Sequence, residues 1–517
     1  MTNGRTDQMN THTPSRRRVL GAIGATAATV VGWNAATQTW ATAAESGRGH
    51  GGGHGGGHGG GHVTPVPPLD GTLKTSGADL APFSKDFGNL VTNTVPWAVL
   101  VPGSVNDVVK MVDFARTNDL KIAANGRSGT GDDLESHSNY GQAAVPGGIS
   151  IDSRGLSKVV SVGSTTAVVE AGATWAQLTD AAMAKGRTPP AMPDYMHLSV
   201  GGTLSVGGIG GTVGKYGLAV DTIESLDIVT GAGQLLTASA TVRPDLFNAA
   251  LVGGGQVGII VRVTIKIVPV KERIVVFSLV YDDAAAYLAD AEKVLAGGRF
   301  EVQAGEMLRT ADDSGWRFKL ELGAVYTGTA PAREPLIAGL RDVRAEAVID
   351  DMTFRDYIFR FDAYVDYLKE AGYWDQPKPW LSLFLPASKA KRFLDIAQAE
   401  LTSNDLGGGF LLTYPYRTSK LKRPLAVQPN EPVAYLFDLL RFPHPGEPDI
   451  QGMLEQNRRL YDKAVALGAK RYLVGAVPGM TPAEWKRHFG NRYSGLRDAK
   501  RRYDPAGVLT PGQGFFD

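Results

Sequence analysis

The sequence predicts an α+β protein of two packed lobes, and three observations carry that expectation. Its 517 residues are more than one simple core organises. From about Asp70 short β-type runs alternate with helical spacing and glycine-bearing loops. Near residue 271 the composition changes, with fewer glycines and a crowd of aromatics between Trp316 and Trp380. Such a region suits an apolar or planar substrate, although for any single ring an ordinary core position is the default reading.

Near its start the chain carries Ser15-Arg16-Arg17-Arg18-Val19-Leu20-Gly21 and a short Ala- and Gly-rich apolar run that ends near Ala41-Thr42-Ala43. Residues 1–44 therefore resemble a removable twin-arginine export signal rather than an anchor. The resemblance implies an exported protein, extracellular or periplasmic, that crosses already folded. His50, His54, His58 and His62 follow, spaced by glycine triplets, within a segment (45–69) that has nothing to bury and reads as a flexible tether. Four imidazoles on a loose chain could wrap a divalent ion, but no specific metal site is expected.

Ala98-Val99-Leu100-Val101 reads as a strand closed by Pro102-Gly103, and Ser104 is placed to cap a helix through Val105, Val108, Val109, Val112 and Ala115. A second strand, Lys121 to Ala124, runs into Asn125-Gly126-Arg127-Ser128-Gly129, a common way to bring backbone N–H groups to a phosphate. The densest glycine region, Ser199 to Gly217, reads as a loop that keeps backbone close to a large flat or anionic ligand. It is no Walker A motif: Ile209 stands where the first glycine belongs, and Tyr216 replaces the magnesium-holding hydroxyl. Ile223 to Thr230 reads as a strand. Gly253, Gly255 and Gly258 match G-x-G-x-x-G formally, but Ile259 to Ile265 behind them is a strand, which argues against a Rossmann domain.

Charge and composition exclude other roles. With 53 Lys plus Arg against 52 Asp plus Glu there is no footprint for nucleic acid, and no apolar window has the roughly 20 residues of an integral membrane segment. The absence of cysteine removes disulfides, thiol nucleophiles and cysteinyl cofactor links. Only His137, His197, His444 and His488 remain in the folded part, too few for a histidine-rich metal centre.

Several segments together then resemble one family. They are Asp194 to Ser205, Asp245-Leu246-Phe247, Gly253 to Ile260, Pro379 to Pro386, Tyr472-Leu473, Trp485 with His488-Phe489-Gly490, and Tyr503-Asp504-Pro505 through Gln513. In this order, from about Phe83 to Asp517, they resemble the cytokinin dehydrogenases within the vanillyl-alcohol-oxidase type of FAD flavoproteins. The resemblance implies a two-part PCMH-type FAD-binding domain (70–270 and 466–517) with an inserted α+β substrate domain (271–465). It also implies that Ala124, Gly126 and Arg127, with Ser138 and Gln142 nearby, hold FAD. Asp194, Ser199, Ser205, Ile209 and Ile260 would line it, and Tyr472, Thr510 and Gln513 would close it. The family usually runs Gly-Arg-Gly-His-Ser, with the His bonded to flavin. Here nine residues, Ser128 to Ser136, separate Arg127 from His137-Ser138-Asn139-Tyr140-Gly141-Gln142. His137 is the implied attachment point, and noncovalent FAD is the alternative that the insertion leaves open.

The implied chemistry is oxidation of a secondary amine of the N6-isopentenyl-adenine type, with hydride passing to flavin N5 and hydrolysis of the imine to an aldehyde and a free amine. Asp194 would be the base, Trp380 and Leu381 would contact substrate, and oxygen or a quinone would accept the electrons. Lys378 and Ser382 stand where plant members tend to have His and Asn. The alternatives are oxidation of an alcohol, a sugar or another amine on the same fold, and an exported metal-binding protein that uses the histidine tail.

Overall fold

Ala98–Val101 and Ile149–Asp152 are buried almost throughout, as apolar runs in parallel sheets usually are. In the computed structural model, which describes residues 30–34, 39–42, 63–128, 135–136, 140–446 and 448–516, they anchor a four-stranded sheet. Its spatial order is Thr72–Lys74, Ala98–Val101, Ile149–Asp152, Ile122–Asn125, antiparallel only at the first pair. The helix Val105–Thr117 packs Val108, Met111, Val112 and Ala115 inward. Ser104 sits at its N-cap, but its hydroxyl donates to Asp70 Oδ2 at 2.6 Å instead of capping the helix. The carboxylate of Asp107 accepts from the N–H groups of Asp70, Gly71 and Gly103 at 2.8–2.9 Å and organises that turn, because an ionised carboxylate offers more acceptor sites than a hydroxyl.

A second, antiparallel sheet has the order Val159–Val162, Thr166–Glu170, Gly258–Lys266, Ile223–Thr230, Leu235–Ser239. Its central strand follows the glycines at 253–258 directly, with no helix between, so the arrangement is not Rossmann-like. The region from Ser199 to Gly217 departs from the loop expected of it: Val200–Val206 is a helix capped by Ser199, and Val213–Tyr216 is a further helical turn. Each helical glycine costs about 1 kcal/mol relative to alanine. Burial of Val200 and Leu204, both fully enclosed, outweighs that.

Beyond residue 270 an eight-stranded antiparallel sheet forms. Its order is Val348–Thr353, Arg273–Tyr281, Trp316–Tyr326, Val302–Arg309, Phe410–Arg417, Val433–Leu440, Leu381–Pro386, Lys470–Gly475. The last of these lies past the boundary at 466 drawn from the sequence, so the sheet runs across it. Strand alternation sends Leu381, Leu383, Tyr435, Phe437 and Leu439 into a core with the helices Ala284–Gly297, Ala387–Glu400 and Ile450–Ala466. The opposite face, with Phe384, Leu412, Tyr414, Leu436 and Tyr472, packs into the core shared with Val200 and Leu204.

The segment after the helix Tyr493–Tyr503 returns to the first sheet. Asp504 accepts from the N–H groups of Val508 and Leu509 at 2.9 and 3.0 Å and from Lys500 Nζ at 2.6 Å. Leu509 thereby pairs in parallel with Ile122, whose N–H donates to Val508 and whose carbonyl accepts from Thr510. Pro67–Asp517 is one compact unit. The described residues up to Val66 belong to another, in which Val30–Asn34, Thr39–Thr42 and Val63–Pro65 make a three-stranded antiparallel sheet with Trp33 opposite Trp40. Of the segment 45–69 read as a tether, Val63–Pro65 is a strand and the Pro68 carbonyl accepts from Lys110 Nζ at 2.6 Å. The twin-arginine segment and the histidine–glycine repeat lie outside the described residues. Among those described, no helix is long and apolar enough to cross a membrane.

Candidate active site

The helix Val200–Val206, the end of strand Ile122–Asn125, the start of Gly258–Lys266 and Thr510 enclose a cleft of about 1090 Å³, its mouth included. Ala124, Gly126, Gln142, Ser199, Ser205, Ile260 and Thr510, all named from the sequence, line it together. Much of its wall is backbone. A Cβ on Gly126 would stand 2.1 Å from Ser199 Oγ and would displace the hydroxyl that caps the helix. Gly255 has φ +75°, and its carbonyl accepts from Thr510 Oγ1 at 3.1 Å, which ties the C-terminal segment to the rim. A wall of glycine backbone and small side chains allows close approach to a long, flat, anionic molecule, and FAD fits that description.

A second chamber of about 900 Å³, its open mouth included, adjoins the cleft, and Leu198, Trp380 and Val474 line both. The helix Phe361–Glu370 contributes Phe361, Tyr364, Val365 and Leu368, spaced to lie on one face. Phe87, Trp374 and Phe442 close the far side, and the eight-stranded sheet forms the floor with Leu412, Tyr414, Asp438 and Tyr472. Trp380 stands between the two spaces. Its indole N–H donates to the Arg441 carbonyl at 3.0 Å, and its ring meets Phe87 and Phe442 edge-on at 5.4 and 5.8 Å. The rings therefore hold one another as well as facing the chamber.

Two carboxyl groups interrupt this apolar lining. Asp194, on the loop before the glycine-bearing helix, keeps 23% of its side-chain surface exposed and accepts from Arg360 Nη2 at 3.1 Å. Arg360 lies over the rings of Tyr357 and Phe361 and 3.6 Å from Glu321, which in turn accepts from the Tyr357 hydroxyl at 2.7 Å. Burial pushes the Asp194 pKa above the usual carboxylate range, and the Arg360 guanidinium pulls against it. Asp438, 7% exposed, accepts from Ser382 Oγ at 2.5 Å. Burial pushes it up to about 7, the Ser382 hydrogen bond opposes this, and the nearby charge of Asp194 adds to it. The Tyr414 hydroxyl is buried beside both carboxyls without a hydrogen-bond partner.

Other residues named from the sequence fall elsewhere. Ile209 and Tyr472 line the chamber rather than the cleft, with the Tyr472 hydroxyl accepting from the Gly208 N–H at 3.0 Å. Gln513 lines neither space; its amide donates to the Tyr140 carbonyl at 3.4 Å. Leu381 corrects the sequence reading. It follows Trp380 directly, so strand alternation turns it to the opposite face, where it is fully buried in the helix-backed core. Lys378 stands behind the aromatic wall, with Nζ donating to the carbonyls of Phe87 and Gln376 at 3.0 Å. His137 and Ser138 lie outside the described residues, as does the side chain of Arg127. The inserted segment nevertheless pairs its own ends, Arg127–Ser128 against Glu135–Ser136, with Ser136 opposite Arg127.

Arg360, Glu321, Tyr414 and Asp438 were missed in the sequence. Asp438 had a signal, as the one charged residue in the run Val433-Ala-Tyr-Leu-Phe-Asp-Leu-Leu440. Among the described residues no group of three metal-ligating side chains exists. His197 pairs with Asp362 at 3.1 Å, and the imidazole of His488 is buried and pushed down to about 3.

The match to known families agrees with this geometry. Residues 327–516 match the family described as "Cytokinin dehydrogenase 1, FAD and cytokinin binding", and residues 96–239 match the FAD binding domain family. Cytokinin dehydrogenase 4 of Oryza sativa subsp. japonica is 31% identical, over 87% of this chain and 90% of that protein. The chain belongs to the cytokinin dehydrogenase family. An uncharacterized oxidoreductase in the fasciation locus of Rhodococcoides fascians is 33% identical over 86% of this chain and 99% of its own length. Cytokinin dehydrogenase 3 of Arabidopsis thaliana is 29% identical, over 86% and 90%. Family membership makes the chain an FAD-dependent oxidoreductase of α+β fold, with an FAD-binding part and a cytokinin-binding part.

Proposed function

We propose that this enzyme oxidises a secondary amine attached to a planar heteroaromatic ring, of the N6-isopentenyl-adenine type, to an imine that water converts to an aldehyde and the free amine. The observation that carries this reading is a carboxylate, Asp194, in an aromatic-walled chamber that opens on a glycine-built cleft through Trp380. FAD, when bound in the cleft, supplies the acceptor for the hydride that leaves the carbon beside the substrate nitrogen. Asp194 takes the N–H proton of the amine, and a raised pKa makes it a stronger base than an exposed carboxylate. Arg360 fixes the carboxylate through Oδ1. Phe361, Trp374 and Trp380 exclude water and hold the ring, which is orientation work.

Gly126, Gln142, Ser199, Ser205, Ile260 and Thr510 are the FAD contacts in this reading, and FAD is covalent through His137. Its support is the pairing of Ser136 with Arg127, which loops the insertion out and brings the residue before His137 back beside the start of the motif. Oxygen or a quinone reoxidises the flavin, and the twin-arginine segment exports the enzyme.

Anaerobic mixing with N6-isopentenyl-adenine tests the reaction. Bleaching of the oxidised flavin, lost in Asp194→Asn, is the expected result; a stable yellow colour rejects this substrate class. Acid precipitation tests the link: yellow protein is expected from the native sequence and colourless protein from His137→Ala, and a yellow supernatant from the native sequence rejects covalency.

A further inference from the structure

We propose that Asp438, presented with Ser382 and Tyr414 on the sheet floor of the chamber, is a specificity-determining residue that donates a hydrogen bond to an acceptor nitrogen in the substrate's ring. The inference rests on the reading of the chamber as a site of secondary-amine oxidation and names the feature of the substrate that the chamber selects.

Asp438 occupies the even-numbered face of Val433–Leu440 with Leu436 and Leu440, and it lines the chamber. Ser382, directly opposite on the neighbouring strand, accounts for one carboxyl oxygen. Among the described residues no backbone N–H and no cation is bonded to this carboxyl in the way that Asp107 and Asp504 are bonded. No described residue lining the chamber is cationic, and Arg360, the nearest guanidinium to the other carboxyl, is committed to Asp194. The titratable groups around Asp438 are Asp194 from the loop, Tyr414 from one neighbouring strand and Tyr472 from the edge strand. None offers positive charge.

Two carboxyls in one apolar space divide the work. Burial raises the pKa of both; Arg360 opposes this at Asp194, whereas no cation opposes it at Asp438, which is the member held towards the neutral acid, the form able to donate. Burial and the charge on Asp194 place its titration at about 7. A planar ring that fills the chamber removes the remaining water and favours the neutral acid further. The buried and unpartnered Tyr414 hydroxyl supplies a second polar group at the same spot. A ring with an acceptor nitrogen satisfies the Asp438 donor, and an all-carbon aromatic leaves it unmet, which is the arrangement that discriminates strongly. The sign follows: the donor exists below about pH 7 and is lost above it, so affinity falls as pH rises through that value.

The test uses the flavin-loaded enzyme with N6-isopentenyl-adenine and analogues in which each ring nitrogen in turn is replaced by C–H, from pH 6 to 9. Loss of one neutral hydrogen bond predicts a KM about ten-fold higher in Asp438→Ala, with a much smaller change in kcat. Asp438→Asn, which keeps an N–H donor and cannot ionise, is expected to retain a low KM and to lack the rise above pH 7. One of the analogues should raise KM in the native enzyme and have no further effect in Asp438→Ala. An unchanged KM in Asp438→Ala, or a pH dependence that persists in Asp438→Asn, overturns the proposal while the native enzyme still bleaches with substrate. If the native enzyme neither bleaches with nor binds any N6-substituted adenine, the reading of the reaction falls and this proposal falls with it.

Discussion

The cleft and the chamber share a wall at Leu198, Trp380 and Val474 but are built on opposite principles. The cleft is mostly backbone: glycines at 126, 201, 202, 254, 255 and 258 let main-chain segments close on a ligand whose shape is fixed. The chamber is mostly side chain: rings from one helix and several loops over a sheet floor, with two carboxyls of which only Asp194 has a cationic partner. A backbone site tolerates almost no change, because any Cβ fills the space. A side-chain site can be re-specified one residue at a time, which is how one fold serves many substrates.

Substitutions can break or sharpen this contrast. The largest effect is expected from Gly255→Val, which places a β-branched residue at φ +75° with its Cβ 2.9 Å from Thr510 Oγ1. The protein should purify folded but colourless, as visible absorbance and a circular dichroism spectrum would show. Next is Asp194→Asn, which should keep the flavin and lower kcat by about 10²–10⁴-fold in single-turnover kinetics. On the proposed mechanism the ionised form of Asp194 is the active one, and its pKa is raised. Activity should therefore fall as pH is lowered through that raised value, on the acid side of the kcat/KM profile. Trp380→Ala removes a ring that faces the planar substrate and should raise KM by roughly 10–100-fold, the range of an aromatic stacking contact. The smallest effect on substrate is expected from Leu381→Ala. It should leave KM unchanged while lowering unfolding stability in urea by about 2–5 kcal/mol, as loss of a buried leucine does. A KM effect there would return Leu381 to the chamber.

The same contrast governs what the sequence revealed. Gly126, Ser199, Ser205, Ile260 and Thr510 could be named without coordinates because the resemblance to the family carries over along contiguous motifs, and they line one cleft. The chamber depends on which face of a strand a side chain takes, and Leu381 shows the difficulty: it adjoins Trp380 in the motif and belongs to the other core. Asp438 depends on a partner 56 residues away on a neighbouring strand, a pairing that no local pattern announces. The helix Val200–Val206 was hidden for a different reason, since its glycines argue against helix formation and only the burial of Val200 and Leu204 reverses the balance.

The pairing of Leu509 with Ile122 bears on the order in which the enzyme becomes competent. Lys121 and Gly507, which flank that pairing and are hydrogen-bonded to each other, lie 386 positions apart. Domains fold from the N-terminal side during synthesis, so the strands at 98–152 can be in place while the rim at Thr510 does not yet exist. Until the ribosome has passed that residue the cleft lacks one of the segments that line it. Completion of the cleft is therefore a late event in the life of each chain.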